Sequence, residues 1–411
     1  MRTVPRLVAV WLVAGSSVTW SAGEARAARS ETCPAERTTV KTKTFSILSA
    51  LGGLAIGPNG NVWFTAYEDD AIGRLTPRGK VTYFHDGITA NPEHSVQGAV
   101  GPRGITKGPD GNMWFTEYGA DRIGRITPDG TITEFSIGIT PPSGPAAADF
   151  RDAAPRSIVT GADGNLWFTE QTADRIGRIT PDGTITEFGA GITPSPNQSL
   201  PGVHQYQLAQ PGDITKGPDG NVWFVEQLAS RVGRITPEGV ITEFPVPVEP
   251  PTFDNYGREQ YRITRVDTIT SGPDGNVWFS EQAGGPPMAG NHLANGAGAV
   301  GRITPSGEIT QFSDQFKPGP PDPNADPGVE PEPSPAGLRG IAKGPDGNLW
   351  LLEMTGLVRI TPSGQVTEFP AEFDLDVIGD EAMVVGSHGT FWFRDGQGRD
   401  ITRITIGCSK R

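Results

Sequence analysis

Seven tryptophans, Trp63, Trp114, Trp167, Trp223, Trp278, Trp350 and Trp392, are followed three residues later by Ala66, Glu117, Glu170, Glu226, Glu281, Glu353 and Asp395. Six acids at one repeat position have two chemical uses. Their oxygens can gather around a divalent cation, or they can pair with nearby arginines such as Arg122 and Arg175. Repetition in unit after unit favours the second use, because a metal site needs asymmetry. Another set stands ten or eleven residues before each tryptophan: Gly52, Arg103, Arg156, Gly212, Asp267, Arg339 and Ala382. Its three arginines suit an anionic or carbonyl-rich ligand, since a guanidinium meets a carboxylate with two parallel hydrogen bonds.

Other chemistries find no residues to carry them. Gly-x-Ser-x-Gly, Walker, His-Glu-x-x-His and paired-cysteine motifs are absent from the sequence, which removes serine hydrolase, nucleotide and zinc-protease readings. Gly-Pro-Asp-Gly-Asn has calcium-like residues but lacks the alternating ligands and closing Glu of an EF-hand, so it reads as a turn. Asn197-Gln-Ser199 fits a glycosylation acceptor and is more simply a chance match.

The elements that would position these residues follow from the punctuation. Of 411 residues, 55 are Gly and 38 are Pro, which leaves little room for long helices. Nine Trp and eighteen Phe supply a core, so disorder is excluded. The clearest unit runs from Gly104 to Phe135 and reads as four short strands: Gly104 to Lys107, Asn112 to Glu117, Arg122 to Thr127 and Thr131 to Phe135. Gly-Pro-Asp-Gly joins the first pair and Pro-Asp-Gly the second, both tight turns. Four antiparallel strands repeated seven times make an all-β, seven-bladed propeller; an open solenoid is the alternative.

The chain ends favour the ring. After Trp392 the last unit has a third strand, Asp400 to Thr405, and no fourth. Val40 to Ile47, ahead of the first unit, has the form of a fourth strand and should complete blade seven. Tight turns then lie on one face, and the long connections 85–102, 136–155, 189–211, 245–266, 283–299 and 313–337 on the other. That looped face is the expected seat of a small-molecule or peptide ligand. Within it, Lys317 to Gly337 reads as an extended, solvated, proline-rich loop.

Residues 1–27 carry Arg2 and Arg6, an apolar stretch from Leu7 to about Gly15, and Ala25-Arg26-Ala27, the pattern of an export signal cut after Ala27. The expected mature domain is then 28–411, secreted or periplasmic, with no membrane span and as a monomer. Removing those residues changes the net charge from −13 to −15, since three arginines and one Glu leave with them. So acidic a protein is a poor partner for nucleic acid. Cys33 and Cys408 are the only cysteines and flank the two strands that close the ring; in an oxidising compartment they are expected to form a disulfide, with two free thiols as the alternative.

The repeated Asn-x-Trp-Phe-Thr-Glu, Arg-Ile-Gly-Arg-Ile-Thr and Thr-Ile-Thr-Glu-Phe resemble the streptogramin B lyase (virginiamycin B lyase) family over nearly all of residues 40–406. The resemblance implies a seven-bladed propeller whose magnesium-dependent site opens a cyclic depsipeptide at its ester by elimination. It places catalytic histidines at the starts of the innermost strands of the last two blades, where this chain has Arg339 and Ala382. Nearby acids, Asp380, Glu381 and Asp395, are then the candidate catalytic groups, and Glu353, Asp380 and Asp395 the candidate metal ligands. The five histidines, His85, His94, His204, His292 and His388, fall elsewhere, with His388 in the first turn of blade seven. The alternative is a non-catalytic propeller that binds a ligand or a protein.

Overall fold

The architecture comes from a computed structural model, which describes residues 38–47, 49–89, 101–143, 150–195, 208–247, 252–253, 259–260, 263–284, 299–312, 319–321, 333–334, 338–353, 356–370, 383–394 and 399–408. Seven four-stranded antiparallel sheets follow one another, and no α-helix occurs among these residues. Blade two comprises Pro102–Lys107, Met113–Glu117, Arg122–Ile126 and Ile132–Phe135, close to the expected strands. The first strand starts two residues early because a bulge at Arg103 and Gly104 sets two residues against one on the partner strand.

The turns have the chemistry their sequence states. Asp110 Oδ1 accepts from the Trp114 indole at 3.0 Å and from the Asn112 amide nitrogen at 3.1 Å, so Pro-Asp-Gly-Asn ties the hairpin to the core tryptophan. Gly111 sits at φ 82°, where a side chain would be strained. The same contacts recur at Asp163, Asp219, Asp274 and Asp346. In blade one Asn59 replaces the acid, and the Trp63 indole nitrogen has no partner.

Packing closes the ring. The core divides into seven clusters, each built from one blade's tryptophan and the next blade's inner strands: Trp63 lies with Phe115, Trp114 with Phe168, and Trp392 with Phe64. Each tryptophan also stacks on the Phe of its own fourth strand, as Trp114 does on Phe135 with ring centres 5.4 Å apart. An arginine of the third strand covers both rings, and in several blades its end reaches a carbonyl of the following blade, as Arg125 does at Pro181 at 3.2 Å. Thr38–Ser46 pairs antiparallel with Asp400–Cys408 from Thr38 opposite Cys408 to Ser46 opposite Asp400, completing blade seven. Phe45 stacks on Trp392 as every other fourth-strand Phe does, so the N-terminal strand fills a genuine blade position.

Three features depart from the sequence reading. Blade five lengthens its first two strands to Ile263–Ser271 and Val277–Gly284, taking residues expected in loops. The stretch expected as an extended loop contains a small ribbon, Gly319–Pro321 with Pro333–Ser334, and a second ribbon pairs Thr252–Phe253 with Glu259–Gln260. Backbone hydrogen bonds between the paired segments outweigh the proline content there. The export signal and Cys33 lie outside the described residues; Cys408 ends the last strand. No helix among the described residues is long and apolar enough to cross a membrane.

Candidate functional site: a polar arc on the looped face

The bulge that opens the first strand of blades one to six is also what aims the site residues. In blades one to three the hydroxyl two positions after the tryptophan accepts from the bulge N–H of its own blade and donates to the next blade. Thr65 takes the Gly53 N–H at 2.8 Å and gives to the Arg103 carbonyl at 2.7 Å. Thr116 does the same between Gly104 and the Arg156 carbonyl, and Thr169 between Ser157 and the Gly212 carbonyl. The backbone of the ring position is therefore fixed from the neighbouring blade. Blade four has Val225 at the hydroxyl position. There Asp213 supplies the link, accepting from Ser157 Oγ at 3.0 Å, the Ile214 N–H at 2.9 Å and the Ile269 N–H at 3.0 Å, so it ties blades three, four and five. Desolvation raises the Asp213 carboxyl, opposed by those hydrogen bonds and by Arg156.

Three of the sequence-derived ring residues meet in one network. Arg156, 8% exposed, donates to Gln227 Oε1 at 2.7 Å. Gln227 Nε2 donates to Asp267 Oδ1 at 2.9 Å, and Arg265 Nε stands 3.2 Å from the same oxygen. Gln171 Nε2 donates to Gln227 Oε1 at 3.2 Å, and Gln171 Oε1 accepts from the Tyr118 hydroxyl at 3.0 Å. The Arg103 guanidinium lies 4.7 Å from the centre of the Tyr118 ring. The arc thus runs Arg103, Tyr118, Gln171, Gln227, Asp267, Arg265 through blades two to five, with Arg156 behind it. Gln227 and Asp267 are buried, whereas the Arg265 side chain is 44% exposed. Burial, then Arg103, then Arg265, pull the Arg156 guanidinium down to about 9, the mark of a cation held in a dry place among cations.

Sequence reasoning found Arg103, Arg156 and Asp267 and missed Tyr118, Gln171, Gln227, Arg265 and Asp213. A signal existed: the residue four after the tryptophan is Tyr67, Tyr118, Gln171, Gln227 and Gln282 in the first five blades, always a large hydrogen-bonding group. For Arg339 the structure gives the strand position, opposite Leu352 at the start of blade six, and not the side chain.

In blades two to four the acid three after the tryptophan stands beside an arginine of the third strand. Arg122 Nε meets Glu117 Oε2 at 2.8 Å, and Arg231 Nε meets Glu226 Oε2 at 2.6 Å. In blade three Arg175 turns to Glu187 at 2.8 Å and stands 3.7 Å from Glu170, which burial holds well above the carboxylate range. Blade five has Ala299 in place of the arginine and Gln311 in place of the outer Glu, and Gln311 Nε2 donates to Glu281 Oε2 at 2.8 Å.

Of the candidate metal ligands, Glu353 is a buried residue of blade six, while Asp380 and Asp395, like the catalytic candidate Glu381, lie outside the described residues. No three carboxylate, imidazole or thiol side chains converge among the described residues, which by themselves do not make a magnesium site. His388 has its backbone in the one-turn segment Ser387–Gly389 between the first strands of blade seven, as expected.

Comparison with known proteins adds the following. The model of the virginiamycin B lyase family matches residues 36–312, and so stops short of Arg339 and Ala382. A virginiamycin B lyase of Nocardia farcinica is 27% identical over 215 residues, covering 52% of this chain and 57% of that protein. One from Saccharopolyspora erythraea is 34% identical over 97 residues, 23% of this chain and 28% of its own length. The matched stretches therefore span roughly half and a quarter of those relatives. Among solved structures, a streptogramin B lyase superimposes with a TM-score of 0.61 at 25% identity, covering 90% of this chain and 98% of that one. A catalytically inactive histidine-to-alanine virginiamycin B lyase from Staphylococcus aureus, solved with quinupristin, gives 0.60 at 27% identity, covering 89% and 99%.

Proposed function

The chain belongs to the virginiamycin B lyase family, and we propose that it binds a carbonyl-rich or anionic small molecule or peptide at the polar arc of its looped face. Cyclic depsipeptides and related esters are the class the family suggests. The observation behind this reading is Arg156: a buried guanidinium flanked by two more, where blades one and four hold Gly52 and Gly212. Bringing cations together out of water opposes folding, so the arrangement needs a reason beyond stability. Titrating the protein with quinupristin, followed by tyrosine and tryptophan fluorescence, should show saturable binding. A flat titration up to the solubility of the ligand removes depsipeptides from the reading.

A second reading, a carbon–oxygen lyase, is favoured by the family match and by the likeness around the whole ring to a lyase solved with quinupristin. In such an elimination a base takes the Cα proton, the carbon–oxygen bond of the ester breaks, and the ring opens to a carboxylate and an alkene without change of mass. With Arg339 and Ala382 where the family has histidines, the base would be a carboxylate, with Asp380, Glu381 and Asp395 the candidates. Incubation with a streptogramin B depsipeptide, with and without magnesium, tests it. Mass-neutral opening abolished by a chelator supports the lyase, and no conversion at high protein concentration removes it.

Export and the Cys33 to Cys408 clasp belong to the same proposal. N-terminal sequencing of the exported protein should begin near Ala28, and thiol counting under denaturing conditions should find none free.

A further inference from the structure

We propose that Arg103, Arg156 and Arg265 form a binding site for one free carboxylate, carried by a small molecule or peptide that enters from the looped face. The inference rests on the reading that this face is the ligand face and goes further in naming the group bound.

The charge balance of the arc points there. Among the described residues, three guanidiniums gather where two carboxylates, Asp267 and Asp213, reach them, in a protein whose net charge is −13. Asp267 already serves the Gln227 amide and Arg265, and Asp213 serves three donors in the wall. A monoanion suits this cluster better than a dianion, which would meet Asp267 more strongly.

Geometry gives the same answer. Each amide is locked by its neighbours: the Gln227 oxygen faces Arg156 and Gln171, and its nitrogen faces Asp267. The Tyr118 hydroxyl spends its proton on Gln171 and keeps lone pairs free to accept. At the two partly exposed ends stand planar guanidiniums, Arg103 over the Tyr118 ring at 4.7 Å from its centre and Arg265 with Nε 3.2 Å from Asp267 Oδ1. Pre-set planar donors over a dry floor are what a planar carboxylate recognises with paired hydrogen bonds. Blades one and four, with glycine at the equivalent position, offer no such donors.

The test uses hippurate as the probe, titrated calorimetrically into the full protein beside its methyl ester and inorganic phosphate. Hippurate should bind one to one, with the ester weaker by about tenfold or more. Arg103→Gln and Arg265→Gln, both at partly exposed positions, should each weaken hippurate by about tenfold or more, and Arg78→Gln, in a tight turn of the opposite face, should leave it unchanged. The proposal is overturned by no saturable hippurate binding, by equal binding of the ester, by tighter binding of phosphate, or by indifference to both arginine variants. Hippurate binding without quinupristin binding would sink the depsipeptide reading and leave the carboxylate site standing.

Discussion

At the scale of single residues, the carboxylates between blades are set apart from ordinary surface acids by burial. Glu117 and Glu226 are pushed up to about 8 and Glu281 to about 7, in each case mainly by desolvation and with help, for the first two, from Glu134 and Glu243. A folded-state value above the unfolded one means the native state holds protons that the unfolded chain has released. Stability is therefore full below about pH 4.5 for these groups and declines as pH rises through their folded values. The melting temperature should fall between pH 5 and 9. The double variant Glu117→Gln, Glu226→Gln should remove on the order of 2 kcal/mol per site of that loss, and an unchanged slope would refute the assignment. Glu117 and Glu226 were readable as arginine partners because the position repeats. The arc was readable only in part: Arg103, Arg156 and Asp267 stand at a repeat position marked by charge, whereas Tyr118, Gln171 and Gln227 share one filled by neutral side chains that carry no such mark.

At the scale of the strand, blades one to five set a glycine opposite the Phe that follows the tryptophan, and blades six and seven write the pair differently, with Thr402 opposite Phe393 in blade seven. Gly124 lies opposite Phe115, and a Cβ there would stand 2.1 Å from the ring. In blade six the same pair is Val358 opposite Leu351, a smaller ring-free side chain matched to a larger partner. Gly124→Val should cost about 3 kcal/mol by overpacking. Adding Phe115→Leu should recover most of it in urea melts, because the pair then reproduces one the fold already uses; if the double variant is no better than the single, the pair is not the unit. A second strand-scale prediction concerns Thr116, whose hydroxyl joins Gly104 to Arg156. Thr116→Val strands a buried N–H and carbonyl and should lower stability by about 2 kcal/mol. It should also weaken hippurate binding while sparing the Arg103 contact, a split that plain destabilisation would not give. The strands themselves were legible from turn residues and alternation. Their bulged starts were not, because a bulge is held by contacts from other strands, such as the Thr116 hydroxyl on the Gly104 N–H, and not by local propensity.

At the scale of the molecule, the ring is one chain closed on itself by a non-local pair, Thr38–Ser46 with Asp400–Cys408. The register makes Thr405 and Lys41 the counterparts of Thr127 and Thr131, which a Pro-Asp-Gly turn joins in blade two. Blade seven is thus an ordinary blade whose last hairpin has been cut, which is why the two chain ends could be matched from sequence. Joining Thr405 directly to Lys41 through Pro-Asp-Gly, with new termini after Ile47 and before Ser49, should give a permuted protein that melts within a few degrees of the parent. Such tolerance is expected where termini lie adjacent at a surface. Deleting residues 38–46 instead strips Phe45 from Trp392 and exposes the edge of Asp400–Cys408. That protein should lose several kcal/mol of stability and associate through the bare strand. Size-exclusion chromatography and thermal melts of the two constructions decide the matter: a stable monomer after deletion, or a permutant that fails to fold, would show that the N-terminal strand is an ornament on the ring and not its closure.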